Sequence, residues 1–204
     1  FTARVFGNNE GFAGKENGRI ISENSDCPVI TCNMYDLEGQ KLDFLDDAVI
    51  LDISGVKILI IGVTGATALA NEFYHLFGIH VKNPQEEIQR VLANHEKIPY
   101  DLLVILSHLG LIEDKELASK FPNIDVIIGG HSHTILEKPL VENQTMICQA
   151  GSFGEYLGEL IVDFDTESKK IRNLNGRLIS SQKYLRHPKI MELIRHYSRQ
   201  ASKN

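Results

Sequence analysis

Disulfide scaffolds and zinc knuckles are excluded first. The 204 residues hold only three cysteines, Cys27, Cys32 and Cys148, an odd number with no Cys-x-x-Cys spacing. Each reads as a small buried hydrophobe, and unpaired thiols favour a reducing compartment, so the expected location is the cytoplasm. Positive charge is scarce as well: 21 Lys and Arg stand against 27 Asp and Glu, a net charge of -6. Nucleic-acid binders concentrate an excess of Lys and Arg, so a nucleic-acid partner is not expected. Apolar stretches such as Lys57 to Val63 are far too short to span a bilayer, and no signal peptide is visible, so no membrane partner is expected. Gly62-Val63-Thr64-Gly65 has neither the Gly-x-Gly-x-x-Gly nor the Gly-Lys-Ser/Thr order of a nucleotide-binding loop and reads as a strand exit. The acidic trio Asp43, Asp46 and Asp47 has no histidine nearby and reads as a solvated turn.

What is present describes one sizeable globular domain, 43% hydrophobic and able to bury a core. Residues 28–33 read as a buried strand, and 46–53 with 56–63 as a hairpin around Ser54-Gly55. Asn83 followed by Pro84, Glu86 and Glu87 starts a helix whose apolar face is Ile88, Val91 and Leu92. Strand 102–106, helix 113–121 and strand 126–128 follow, an order that makes the two strands parallel neighbours joined by a right-handed crossover. Residues 145–149, 157–164 and 171–179 then read as strands linked by turns, the basis of an antiparallel second sheet. The predicted class is therefore α/β, a mixed two-sheet sandwich with outer helices. After His187-Pro188, the apolar positions Ile190, Met191, Leu193, Ile194 and Tyr197 share one helical face. That helix either packs on its own domain or leaves it.

The chemistry concentrates at two strand ends. The run from Ile124 to Thr134 carries Gly129-Gly130-His131-Ser132-His133 just past an apolar strand, and Asp101 to Gly110 is a second apolar strand ending in His108. Ligands in open α/β sheets bind beyond the carboxyl ends of the strands, and glycines let a backbone approach a metal or phosphate closely. Two neighbouring parallel strands would bring three imidazoles to one rim, a donor set suited to zinc, iron, nickel or manganese. The other histidines, His75, His80, His95, His187 and His196, read as surface residues. Phe73, Tyr74 and Phe77 read as a small satellite cluster.

With these residues the sequence resembles the calcineurin-like metallophosphoesterases, in their 5'-nucleotidase branch of bacterial type. Members carry five blocks: Asp-x-His, Gly-Asp-x-x-Asp, Gly-Asn-His-Glu/Asp, a lone histidine after a strand, and Gly-His-x-His. Here His108 matches the fourth, and Gly130, His131 and His133 match the fifth. Gly7-Asn8-Asn9-Glu10 resembles the third, with Asn9 where most members have histidine. The likeness runs over roughly residues 5 to 180. Neither of the first two blocks occurs, and the sequence begins with Phe1, which reads as the latter portion of a longer polypeptide.

The resemblance implies a four-layer α/β/β/α sandwich of two mixed sheets with its N-terminal part missing. It divides the chain into residues 1–184, the C-terminal portion of a catalytic domain, and 185–204, a helix that could link to a substrate-binding domain. It implies two divalent ions, of manganese, zinc, iron or cobalt, with Asn8, His108 and His131 on one and His133 on the other. Asn9 would take the catalytic histidine's place, beside the acid Glu10; its amide can donate to a phosphate oxygen but cannot give up a proton. The implied activity is metal-dependent hydrolysis of a small-molecule phosphate ester, a nucleotide, by two-metal activation of water. The alternative is a non-catalytic domain acting as a metal-binding or interaction module. The sequence carries no sign of oligomeric state.

Overall fold

The computed structural model describes residues 1–65 and 67–201. The chain opens with two short helices, α1 (Asn8–Phe12) and α2 (Lys15–Glu23), and a two-residue strand, β1 (Met34–Tyr35). Residues 28–33 are almost wholly buried but do not form the expected strand. Ile30 N donates to Arg4 O, Thr31 N to Asp46 O and Cys32 N to Gly62 O. An extended run whose hydrogen bonds go to three different segments satisfies its backbone without building a ladder.

The predicted hairpin is present as β2 (Ala48–Ile53) and β3 (Val56–Thr64), antiparallel in register from Ala48 opposite Ile61 to Ile53 opposite Val56. Ser54 and Gly55 both take positive φ, 54° and 84°, as a primed two-residue turn requires to match strand twist. Helix α3 (Ala68–Leu76) and strand β4 (His80–Val81) follow, with β4 antiparallel to β1. Helix α4 (Pro84–Asn94) starts as the sequence predicts: Asn83 Oδ1 accepts from Gln85 N and Glu86 N, and Pro84 occupies the first turn.

Strand β5 (Leu102–His108) runs parallel to β3, with His108 beside Thr64. After α5 (Leu111–Lys120), β6 (Val126–Ile128) adds parallel to β5, as the strand-helix-strand order demands. Strands β7 (Leu140–Glu142) and β8 (Thr145–Cys148) complete a six-stranded mixed sheet of order β2-β3-β5-β6-β8-β7. The expected assignment of residues 145–149 to a second, antiparallel sheet is overturned, since β8 pairs parallel with β6 through Val126 and Met146. Thr145, Met146 and Ile147 are buried in succession, the continuous burial of a strand covered on both faces. Strands β9 (Tyr156–Asp165) and β10 (Lys170–Ser180) form a separate antiparallel ribbon, and helix α6 (Pro188–Ala201) follows it.

The α/β class therefore stands. The main core joins Leu59, Ile61, Leu103, Ile105, Ile127 and Ile147 of the sheet to Ile88 and Val91 of α4 and to Leu117 and Ala118 of α5. Each fully buried aliphatic side chain contributes roughly 1.5–3 kcal/mol relative to an exposed one. A second cluster, with Phe6, Met34, Leu42, Tyr74, Ile79 and Val81, holds α3 and the β1–β4 pair beside it. Of the acidic trio, Asp43 and Asp46 are exposed as a solvated turn requires, Asp43 pairing with Arg19, whereas Asp47 is partly buried between Lys41 and Arg90. What this architecture sets up is a rim, where β3, β5, β6 and β8 all end on the same side of one sheet.

Candidate metal centre

His108 is the last residue of β5, and its ring fits because its neighbours are glycines. A Cβ on Gly7 would lie 2.7 Å from the imidazole, and one on Gly130 would lie 3.3 Å from Nδ1. Helix α1 places Asn8 against this ring, with Asn8 Oδ1 2.8 Å from His108 Nε2 and 3.3 Å from His131 Nδ1. The two imidazoles stand with centroids 5.0 Å apart and planes at 62°. Residues 100 and 123 positions away from Asn8 thus converge on its one amide oxygen.

The loop after β6 reaches that point by an uncommon backbone. His131 has φ 68° and His133 φ 55°, left-handed conformations that cost a residue with a Cβ roughly 1–2 kcal/mol. His133 does not join the Asn8 group. It is exposed, and its ring meets Phe153 edge-on at 5.7 Å. Of the sequence-predicted ligands, then, Asn8, His108 and His131 are brought together and His133 lies apart. Asn9 is exposed in the first turn of α1. Glu10 caps that helix, its Oε2 accepting from Gly7 N at 2.9 Å, so its carboxylate is engaged away from Asn9.

Burial, then the neighbouring His131, holds the His108 imidazole below its ordinary pKa. A neutral imidazole is the form with a lone pair to offer a cation. Two imidazole nitrogens and an amide oxygen suit zinc, iron, cobalt or manganese, and the three donors fit one such ion as an incomplete shell. Among the described residues no three His, Cys, Asp or Glu side chains form a metal-binding group, so no carboxylate completes the set. A cleft of about 320 Å³ opens beside the donors, with Asn8 and His131 on its wall and Phe12, Thr67, Tyr74 and Glu113 around it.

The sequence reading missed several groups behind the rim. Asp114, fully buried on α5, accepts from Ser107 Oγ at 2.5 Å, and Leu109 N donates to the same hydroxyl, so both neighbours of His108 are tied down. Burial pushes the Asp114 carboxyl up to about 7. The hydroxyls of Thr64 and Tyr74 are buried facing each other near the same strand ends. Gln149, the residue after β8, bonds the histidine loop itself. Its one sequence signal was a polar side chain directly following an apolar strand at the rim.

Comparison with known proteins points the same way. No family profile matches the chain. An uncharacterized metallophosphoesterase, YunD, of Bacillus subtilis is 30% identical over 180 residues, which cover 87% of this chain and 37% of that protein. A 5'-nucleotidase of Vibrio cholerae is 30% identical over 183 residues, 74% of this chain and 32% of the relative. The chain thus spans about a third of the length of these curated relatives. Among solved structures, the calcineurin-like phosphoesterase YfkN of Bacillus subtilis superposes with a TM-score of 0.79 at 20% identity, covering 98% of this chain and 70% of that one. That likeness establishes the fold.

Proposed function

Since the chain belongs to the calcineurin-like metallophosphoesterases, in their 5'-nucleotidase branch, we propose that it carries the histidine-bearing rim of a divalent-metal phosphomonoester hydrolase acting on nucleotides. One observation carries the reading: Asn8, His108 and His131, distant in sequence, meet at the carboxyl ends of parallel strands within hydrogen-bond distance of one oxygen. Asn8, His108 and His131 would hold one cation and His133 would serve a second. Divalent cations at such a rim polarise the phosphoryl group, acidify an attacking water and stabilise in-line displacement.

The chain's own residues do the rest. Neutral His108 offers its lone pair and does not repel a cation. The cleft beside Asn8 and His131 gives a small phosphate ester a place to lie against the donors. Asn9, exposed on the same wall-forming helix, would donate its amide N–H to a phosphate oxygen, and the leaving group would take its proton from elsewhere. Three unpaired cysteines support a reducing, cytoplasmic location.

Calorimetric titration of the chain with Mn²⁺ tests the assignment, followed by assay of phosphate release from a nucleoside 5'-monophosphate. One saturable site is expected, lost in His131→Ala with the far-ultraviolet spectrum unchanged, because a rim side chain contributes little to the core. Equal affinity in the variant would sink the assignment. The absence of a carboxylate from the donor set among the described residues favours a second reading, a metal-binding module without hydrolysis. Saturable Mn²⁺ binding with no phosphate release would select it.

A further inference from the structure

We infer that Gln149 is a positioning residue for the metal centre: its single amide clamps the loop that carries His131 and His133 and thereby sets where the His131 nitrogen stands. The inference rests on the metal-centre reading above. Gln149 follows β8 at the same rim where His108 closes β5, and it is 3% exposed. Its Nε2 donates to Gly130 O at 2.7 Å, and its Oε1 accepts from Ser132 Oγ at 2.8 Å and from Thr134 N at 2.6 Å. The three bonds fall before His131, between the two histidines and after His133, so every peptide that orients either imidazole lies between two points held by one side chain.

The loop does not adopt this path by preference. His131 and His133 both stand in the left-handed region that side chains with a Cβ avoid. Such conformations persist where surrounding contacts over-determine them. Other bonds help: Ser132 N donates to Gly130 O and Ser132 Oγ pairs with Thr134 Oγ1 within the loop, Leu111 N donates to Ser132 Oγ from the start of α5, and Gly129 N and Gly151 N bond Cys148 O and Thr134 O at its two ends. Each of these holds one point, and Gln149 is the one side chain that bonds Gly130, Ser132 and Thr134 together. A primary amide of this length is suited to the task because the loop presents an acceptor, Gly130 O, and a donor, Thr134 N, side by side. A carboxylate would lack the donor, and an apolar side chain would leave Thr134 N without its partner and Gly130 O with Ser132 N alone. The same network fixes which amide atom is oxygen and which is nitrogen.

The test is Co²⁺ titration of the full chain, followed by visible absorption and calorimetry well below each variant's thermal midpoint, with folding checked by circular dichroism. Gln149→Met keeps the side chain's length and removes all three bonds. It should weaken Co²⁺ about 10- to 100-fold, the usual effect of losing a group that orients a ligand, and should change the ligand-field bands, which a loss of stability alone would not move. Ser132→Ala removes one of the three Gln149 bonds, together with the bonds of Ser132 Oγ to Leu111 N and Thr134 Oγ1, and stands in if Gln149→Met does not fold; a smaller loss of affinity in the same direction is expected. A wild-type chain that leaves Co²⁺ free, or binds it equally after His131→Ala, overturns the metal centre and this inference with it. A wild-type site lost in His131→Ala but unchanged in affinity and spectrum by Gln149→Met or Ser132→Ala overturns the inference alone.

Discussion

At the scale of single residues, the most consequential group outside the donor set is Asp114. It is fully buried, one oxygen is satisfied by Ser107 and the other, Oδ2, has no partner. Burial raises its pKa from an ordinary 3.8 to about 7. The sign follows from linkage: an acid with a raised folded-state pKa favours the fold below about pH 4, where both states hold the proton, and that contribution is lost as pH rises through about 7. At roughly 1.4 kcal/mol per unit, the folded state at pH 8 carries up to about 4 kcal/mol of penalty from an ionised buried carboxyl. Asp114→Asn keeps an oxygen for Ser107 and removes the charge. Thermal melts should show the variant more stable by about 5 °C or more at pH 8 and nearly equal to wild type at pH 4. A gain of the same size at both values would mean that ionisation is not the cause.

At the scale of elements, close approach of backbone decides where sequence reading succeeds. Gly62 lies where the extended run 28–33 crosses β3, and a Cβ there would sit 2.1 Å from Ile30 O. The obstacle is main chain, which cannot rotate away, so Gly62→Ala should cost about 3 kcal/mol or more, at the upper end of point-mutant effects. Denaturant unfolding measures it, and a loss under about 1 kcal/mol would show that the crossing is looser than the contact implies. Nothing in the sequence around Gly62 announces that crossing. The hairpin, the capped helix α4 and the parallel pair β5 and β6 were legible because turn chemistry, an Asn-Pro start and an apolar strand-helix-strand order are local signals. The partner of β8 was not, since a short apolar run reports burial and is silent about which neighbour buries it. His108 and His131 were legible as residues following apolar strands. Asn8 entered through a resemblance, and the amide clamp of Gln149 exists only once three segments have met.

At the scale of the whole molecule, burial falls off along the chain. The sheet core ends with β8, and the ribbon that follows exposes Leu157 and Ile161 by more than half. A two-stranded ribbon is marginal by itself, and β9–β10 is held by contacts such as Pro139 against Gly176. Helix α6 is less engaged still: of its apolar face only Met191 is partly buried, and Ile190, Leu193, Ile194 and Tyr197 are 51–63% exposed. Apolar surface left in water contributes nothing to stability at roughly 25 cal/mol per Å² buried. Removing residues 186–204 should therefore shift the thermal midpoint by less than about 2 °C, because 1 kcal/mol moves a domain of this size by about 2–4 °C. Hydrogen exchange should agree, with amides of α6 and then β9–β10 exchanging before those of β3 and β5, where opening requires loss of the core. The histidine-bearing rim lies on the protected side of that gradient. Mn²⁺ affinity should survive the truncation unchanged, and a truncated chain that melts much earlier or loses its ion would show that the helix supports the sheet through contacts its exposed face conceals.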